Sequence, residues 1–273
     1  MDIKVLVENT SISKDFVSEH GLSLYIEAKG KKILFDLGAS DLFLKNAEKL
    51  NINISDIDYL IISHAHYDHG GGLEAFLNIN VKAKVYLNHL AFERYYALRS
   101  DNSLEYVGLD QNLKDNSQIV FTSDQFFIDK GIQVFSNIVQ KEAGPKTNKG
   151  LLMEKKGKML EDSFSHEQNL ILEEGGKTLL VTGCAHNGII NILDHFHTLR
   201  ESGPDYVIGG FHLSSSSGGN ESSENIEKIA KYLLNTKAKY YTCHCTGIEP
   251  YNQLKGIMGD NIEYLSAGSE LTI

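Results

Sequence analysis

One segment constrains this chain more than any other: Ile57 to Leu73 reads IDYLIISHAHYDHGGGL. An apolar strand ends at Ser63, and HAHYDH follows at once, placing three imidazoles and one carboxylate within six residues of a chain that holds 11 histidines. Crowding these groups costs desolvation and, once the rings are protonated, like-charge repulsion. A bound cation reverses that cost, because neutral imidazole and ionised carboxylate are the ligands that zinc, iron or manganese accept. From a tightly turned loop His64 and His66 reach one centre, while the adjacent Asp68 and His69 point elsewhere. Two neighbouring ions, with zinc the first choice, satisfy both pairs. The glycines after His69 are expected to let the backbone bend sharply and to let a substrate approach closely.

The rest of the chain is ordinary enough to give that motif a soluble globular setting. Its 273 residues are 41% hydrophobic and 23% charged, as in a typical soluble domain. No low-complexity linker divides it, so residues 1–273 read as a single domain. No run reaches the length of a membrane helix. The opening MDIKVLVENT reads as a first strand and lacks the features of a secretory signal. The net charge of −10 argues against a nucleic-acid partner, which would call for a basic face. Cys184, Cys243 and Cys245 form an odd set that suits a reducing cytoplasm better than a disulfide framework.

Strand-like runs recur along the chain, among them Ile3–Val7, Leu22–Ala28, Lys32–Phe35, Tyr59–Ile62, Lys84–Leu87, Gln118–Phe121 and Ile132–Ile138. Leu151–Glu154, Asn169–Leu172, Thr178–Val181, Tyr206–Ile208, Tyr240–Thr242 and Ile262–Leu265 continue the series. Helical spacing marks Asp41–Leu50, Gly188–Arg200 and Ser223–Leu234. Strands arriving in groups with helices between them predict an α/β fold of two packed sheets covered outside by helices. KKILFDLGAS at Lys31 and KTLLVTGCAH at Lys177 echo each other as a lysine-led strand, a glycine-containing loop and a helix. The Ser214 to Ser223 run reads as a mobile loop. AFERYYALRS at Ala91 reads as an amphipathic helix, opening a segment from Leu90 to Val139 that is expected to face the substrate. His89, His195 and His197 fall in helix-like stretches. Lys146 and Lys149 in GPKTNKG are either a phosphate-holding basic loop or solvated charge.

HAHYDH resembles the His-x-His-x-Asp-His signature of the metallo-β-lactamase superfamily, and the resemblance extends over essentially the whole chain. FDLGAS at Phe35 is similar to the Asp-bearing strand end that precedes the signature there. ENT at Glu8, EHGLS at Glu19, TGCAHNGI at Thr182, GGFHL at Gly209 and HCTG at His244 narrow the likeness to one subgroup. That subgroup includes 7,8-dihydropterin-6-methyl-4-(β-D-ribofuranosyl)aminobenzene-5'-phosphate synthases, used in methanopterin assembly. The resemblance implies an αββα sandwich of two mixed sheets with external helices. It implies that His64, His66 and His186 hold a first ion, and Asp68, His69 and His244 a second. It leaves Cys184 where the superfamily usually has a bridging Asp, either as a thiolate ligand or as a simple buried thiol. His166 is left out of the ligand set. His212, a catalytic candidate with Asp68, would bind substrate, donate a proton to a leaving group, ligate a metal or serve only the structure. Asn9 and His20 are weaker candidates for lining the site.

The first functional reading is a dinuclear metal-dependent hydrolase acting on an ester, lactone, amide or phosphoester of a small molecule, one that is phosphorylated or pterin-like. The second is a synthase in which pyrophosphate leaves a pterin methyl group and an arylamine adds. The third is a non-enzymatic, metal-dependent ligand-binding protein.

Overall fold

The computed structural model describes residues 1–215 and 219–273. Two seven-stranded mixed sheets form its frame. In space the first runs Glu270–Thr272, Asp2–Val7, Ser23–Ala28, Lys31–Phe35, Tyr59–Ile61, Lys84–Asn88 and Ile119–Thr122. The second runs Gln125–Asp129, Ile132–Phe135, Asn169–Glu174, Lys177–Val181, Tyr206–Gly209, Lys239–Thr242 and Ile262–Tyr264. Each sheet begins with three antiparallel pairings and continues with three parallel ones. The two strands that echo each other in sequence, Lys31–Phe35 and Lys177–Val181, hold the same central place, where pairing switches from antiparallel to parallel. The expected α/β sandwich of two mixed sheets is therefore present, with a pseudo-symmetry between its halves.

Side-chain alternation makes the layers. Along Lys31–Phe35, Ile33 and Phe35 enter the core between the sheets, while Leu34 faces the outer helices. Along Lys177–Val181, Leu179 and Val181 join the same inter-sheet core and Leu180 faces outward. That period of two is what a strand covered on both faces requires. Helices Leu42–Lys49 and Leu73–Ile79 cover the first sheet. Helices Ile189–Arg200, Ser223–Thr236 and Ile248–Met258 cover the second. Ser222 caps Ser223–Thr236 by accepting from the Asn225 N–H, and the helix buries Ile226, Ile229, Ala230 and Leu233. No helix among the described residues is long and apolar enough to cross a membrane.

Several expectations change. AFERYYALRS contains a strand, Arg94–Leu98, not a helix. Tyr95 and Ala97 are buried while Arg94 and Leu98 are exposed, a two-residue alternation, and the strand pairs with Leu151–Lys155 in a separate four-stranded sheet. His89 sits in a turn, also not a helix. The strand predicted to reach Ile138 stops at Phe135, just before Asn137 adopts a φ of +56°. Helix Ile248–Met258 was not anticipated, although Pro250, Leu254 and Met258 are its buried residues at a spacing of four. The loop expected from Ser214 to Ser223 falls partly on 216–218, which lie outside the described residues. On either side of them, Ser214–Ser215 pairs antiparallel with Gly219–Asn220.

Candidate metal centre

The chemistry gathers where the parallel strands end, the usual place for a site in a sheet of this kind. Lys31–Phe35 delivers Asp36, Tyr59–Ile61 delivers His64, and Lys177–Val181 delivers Cys184 and His186. Tyr206–Gly209 delivers His212 and Lys239–Thr242 delivers His244. Four non-glycine residues in these loops adopt left-handed backbone: Asp36 (φ +60°), Ala185 (+58°), His212 (+48°) and His244 (+51°). Such conformations are costly and persist where surrounding contacts over-determine them.

Those contacts are present. Buried Asp36 accepts the Ser63 N–H at 2.6 Å, the Ser63 hydroxyl at 2.7 Å and His69 Nδ1–H at 2.7 Å. Ser63 Oγ, having donated to Asp36, accepts His64 Nδ1–H at 2.7 Å. Asn148 Oδ1 takes His186 Nδ1–H at 2.8 Å, and Asn9 Oδ1 takes His244 Nδ1–H at 2.8 Å. In all four rings an oxygen acceptor engages Nδ1, which leaves the Nε2 lone pair for a cation. Two buried glutamates clamp the loops: Glu167 accepts the His186 N–H at 2.6 Å, and Glu8 accepts the His244 N–H at 2.7 Å.

The Nε2 atoms converge in two pockets. His64, His66 and His186 form one group whose ligand atoms lie within 4.8 Å of one another. In the second, His69 Nε2 lies 3.2 Å from His244 Nε2 and 3.8 Å from Asp68 Oδ2, and His244 Nε2 lies 3.3 Å from Asp68 Oδ2. The six side chains that the resemblance named thus lie together in two adjacent groups. Among the described residues, the buried side-chain polar atoms lacking a hydrogen-bond partner belong only to His64, His66, His186, His212, Gln133 and Asn169. Unpaired buried polar atoms are rare in folded proteins. A cation is the partner that fits three such nitrogens aimed at one point.

Titration follows the same division. Burial and neighbouring rings hold His64 and His186 well below the usual range, and burial with His166 holds His66 at about 3. These rings are neutral, the form that binds metal. For His69, burial is outweighed by Asp36 and Asp68, which lift the ring to about 9. Burial would raise Asp68, but His69, His20 and His244 hold it well below the ordinary carboxylate range.

The remaining candidates are also placed. Cys184 Sγ lies 3.1 Å from His69 Nε2, inside the ligand cluster. Burial pushes its thiol up in the ion-free protein, an effect that a bound cation reverses. His212 is buried with both ring nitrogens unpartnered, its ring centroid 4.1 Å from that of His186. His166 is occupied: its Nδ1 accepts the Ala65 N–H at 3.0 Å, and Nε2 donates to Asp162 at 3.0 Å. The exposed His20 reaches Asp68 at 3.3 Å. The exposed Lys146 and Lys149 stand outside the centre, while Thr147 donates to the His212 carbonyl and Asn148 to that of His186.

The Gly70–Gly72 turn serves packing, contrary to the expectation that it admits substrate. A Cβ on Gly71 would lie 2.2 Å from the Ala39 carbonyl oxygen, and one on Gly72 2.7 Å from that of Ser40. None of the three lines the cavity of about 120 Å³ over the centre. His66, Asp68, His212, Tyr67 and Arg99 are among the residues that do. Glu8, Glu167 and Asn148 were missed as supporting residues. Their signal in sequence is only an ordinary polar residue in a loop or at a strand end.

Comparison with known proteins agrees with this arrangement. The family model of the metallo-beta-lactamase superfamily matches residues 19–233. An uncharacterized protein of Methanocaldococcus jannaschii is 31% identical over 276 residues, covering 99% of this chain and 100% of that one. The 7,8-dihydropterin-6-methyl-4-(beta-D-ribofuranosyl)-aminobenzene-5'-phosphate synthase of the same organism is 30% identical, covering 93% of this chain and 90% of its own. Among solved structures, Tm1679, described as a metal-dependent hydrolase of the beta-lactamase superfamily, superposes with a TM-score of 0.85 at 32% identity. That match covers 100% of this chain and 99% of Tm1679.

Proposed function

The chain belongs to the metallo-beta-lactamase superfamily, and from that premise we propose that it is a metal-dependent hydrolase with a two-ion centre. The observation that carries this reading is the convergence of the unpartnered Nε2 atoms of His64, His66 and His186 beside the Asp68, His69 and His244 group. Zinc suits this set of imidazole, carboxylate and nearby thiol, with iron or manganese as alternatives. When bound, two such ions supply a Lewis-acid centre that acidifies water and offsets developing negative charge.

The chain's own residues do the positioning. His64, His66 and His186 would hold one ion, and Asp68, His69 and His244 the other. Asp68, ionised between His20, His69 and His244, orients the attacking nucleophile as well. His212 faces the same space with free ring nitrogens and can pass a proton to a leaving group. The cavity of about 120 Å³ is well below the few hundred Å³ that enclose a drug-sized ligand. It takes the reacting ester, lactone or phosphoester group, and the remainder of a small substrate extends past Tyr67 and Arg99.

The test is metal analysis of untagged protein with turnover assays. Close to two ions per chain are expected, with most lost in the His66→Ala, His69→Ala double variant. Full metal retention in that variant would sink the assignment. A second reading, the pterin-methyl arylamine-phosphate synthase, is favoured by the relative of that name at 30% identity over 93% of this chain. Product formed only when a pterin diphosphate and an arylamine are supplied together would select it. Hydrolysis of generic phosphodiesters or lactones selects the hydrolase. Tight ligand binding without turnover in metallated protein would select a non-enzymatic binding role.

A further inference from the structure

We propose that Arg99 forms an anion-binding subsite beside the metal centre, so that the substrate carries a carboxylate or phosphate besides the group that reacts. The proposal rests on the reading above that a substrate reacts in the cavity over the two-ion centre, and it names the class of that substrate. The cavity is lined from two sources. The strand-end loops contribute His66, Asp68, Cys184, His186, His212 and His244. The small four-stranded sheet and the turns at its strand ends contribute Ala97, Arg99, Val107 and Leu151. This second wall offers no metal-binding side chain. It is apolar except for one guanidinium, and Arg99 is the one Lys or Arg among the described residues that line the cavity.

The fold fixes that guanidinium in place. The small sheet is tied to the histidine motif itself, since the Tyr67 N–H donates to the Val107 carbonyl at 2.8 Å. Arg99 follows strand Arg94–Leu98 and opens a closed turn. Its N–H donates to the Ser103 carbonyl and its carbonyl accepts the Asn102 N–H, both at 2.9 Å. Asn102 takes the left-handed φ of +63° within that turn, and Asp101 accepts the Ser103 N–H and hydroxyl. The Arg99 side chain is about a third exposed. Its Nε donates at 2.5 Å to Glu105 on the neighbouring strand Leu104–Tyr106. Holding Nε orients the planar fork of donors and leaves the terminal Nη N–H groups without a hydrogen-bond partner among the described residues.

Chemistry narrows what those groups hold. Parallel N–H donors in one plane match the two oxygens of a carboxylate or a phosphate. Tyr67 also lines the cavity, and its phenol, without a hydrogen-bond partner among the described residues, adds a further donor. The one carboxylate on the lining, Asp68, is engaged by His20 and His244, so no acid inside the cavity competes for Arg99. Glu105 is half-exposed, and a pair so open to solvent is screened too strongly to cancel the guanidinium's pull on an oxyanion. Ala97, Val107 and Leu151 on the same wall suit an apolar body between the anion and the reacting group. Recognition is non-covalent, and no bond is made or broken at Arg99.

Calorimetry on the zinc-loaded, full-length chain tests this without turnover. The probes are three hydroxamic acids of one chain length, which share a group that binds divalent ions and end in a methyl, a carboxylate or a phosphonate. A second set is longer by two methylenes. Wild-type protein should bind an anion-ended probe about tenfold or more tighter than its methyl-ended partner, the scale of one hydrogen bond to a charged group. A larger gain for the phosphonate assigns a phosphate to the substrate, and a larger gain for the carboxylate assigns a carboxylic acid. The preference should shrink as salt rises. Arg99→Met should abolish it with the ions still bound, and Arg99→Lys should restore part of it. No preference in wild-type protein at either length, or one that survives in Arg99→Met, would overturn the anion subsite and leave the two-ion centre standing. Wild-type protein that holds no zinc, or holds it and binds none of the probes, would bring down the reading of this cavity as the reacting site and the proposal with it.

Discussion

His64, His66 and His186 form a pocket of neutral rings, whereas Asp68, His69 and His244 beside it form a charged one. The rings of His64 and His69 are only 4.1 Å apart between centroids, yet their protonation is driven in opposite directions. Burial lowers His64 with no carboxylate in hydrogen-bond contact, while Asp36 binds His69 directly and lifts it. Depth of burial is the same for both. The difference shows that the supporting hydrogen bonds, more than burial, decide what each half of the centre can hold. Both halves share one device: a loop histidine whose N–H is gripped by a buried glutamate, Glu167 on one side and Glu8 on the other.

Four measurements test this contrast. The largest effect is expected from Asp68→Ala, which removes the carboxylate that the proposed two-ion centre would use in the charged pocket. Turnover should fall more than about 100-fold, beyond the usual cost of losing a supporting residue, with one ion lost by elemental analysis. Unchanged turnover would remove Asp68 from the mechanism. Next, Asp36→Asn should weaken ion binding in the charged pocket roughly 10–100-fold. Asn148→Ala, which removes a single contact to the His186 ring, should weaken the neutral pocket toward the lower end of that range. Competition titration with a chelator would rank the two, and equal effects would contradict the asymmetry.

Ion-free protein should also reveal the contrast in its pH dependence. His66 falls from 6.5 to about 3 on folding, so its contribution is present above pH 6.5 and is lost as pH drops toward 3. The low pKa of Asp68 acts in the same direction at the acid end. His69 rises from 6.5 to about 9, so its contribution is complete below pH 6.5 and is lost as pH rises through 9. Urea unfolding should therefore show stability falling between pH 6.5 and 4, with a shallower fall in His66→Gln. Stability that rises on acidification would contradict the neutral pocket. The smallest effect is expected from His20→Ala. The His20 ring is mostly exposed, although Asp68 is buried, so stability should change by about 1 kcal/mol or less, as thermal denaturation would measure.

Much of the frame was legible because strands announce themselves through local alternation. Ile33–Leu34–Phe35 and Leu179–Leu180–Val181 carry the same pattern, and they occupy the same place in their sheets. Where alternation was partial it misled: RYYAL lies between charged residues that imitate a helix face, and only pairing with Leu151–Lys155 makes it a strand. The candidate ligand histidines could be proposed from their positions after strands. Their supports could not, since Glu8 and His244 are separated by 236 residues and Asn148 and His186 by 38.

Two features could be read from the residues alone: a dense group of residue types that bind metals follows a buried strand, and two packed sheets build the frame. Both are consequences of local composition and periodicity. Only the tertiary structure decided that His166 is tied to Asp162 while His186 turns inward, that the glycine turn packs against residues 39 and 40, and that Cys184 lies beside His69. Those outcomes depend on which loops meet at the strand ends, and the packing of the two sheets sets that meeting.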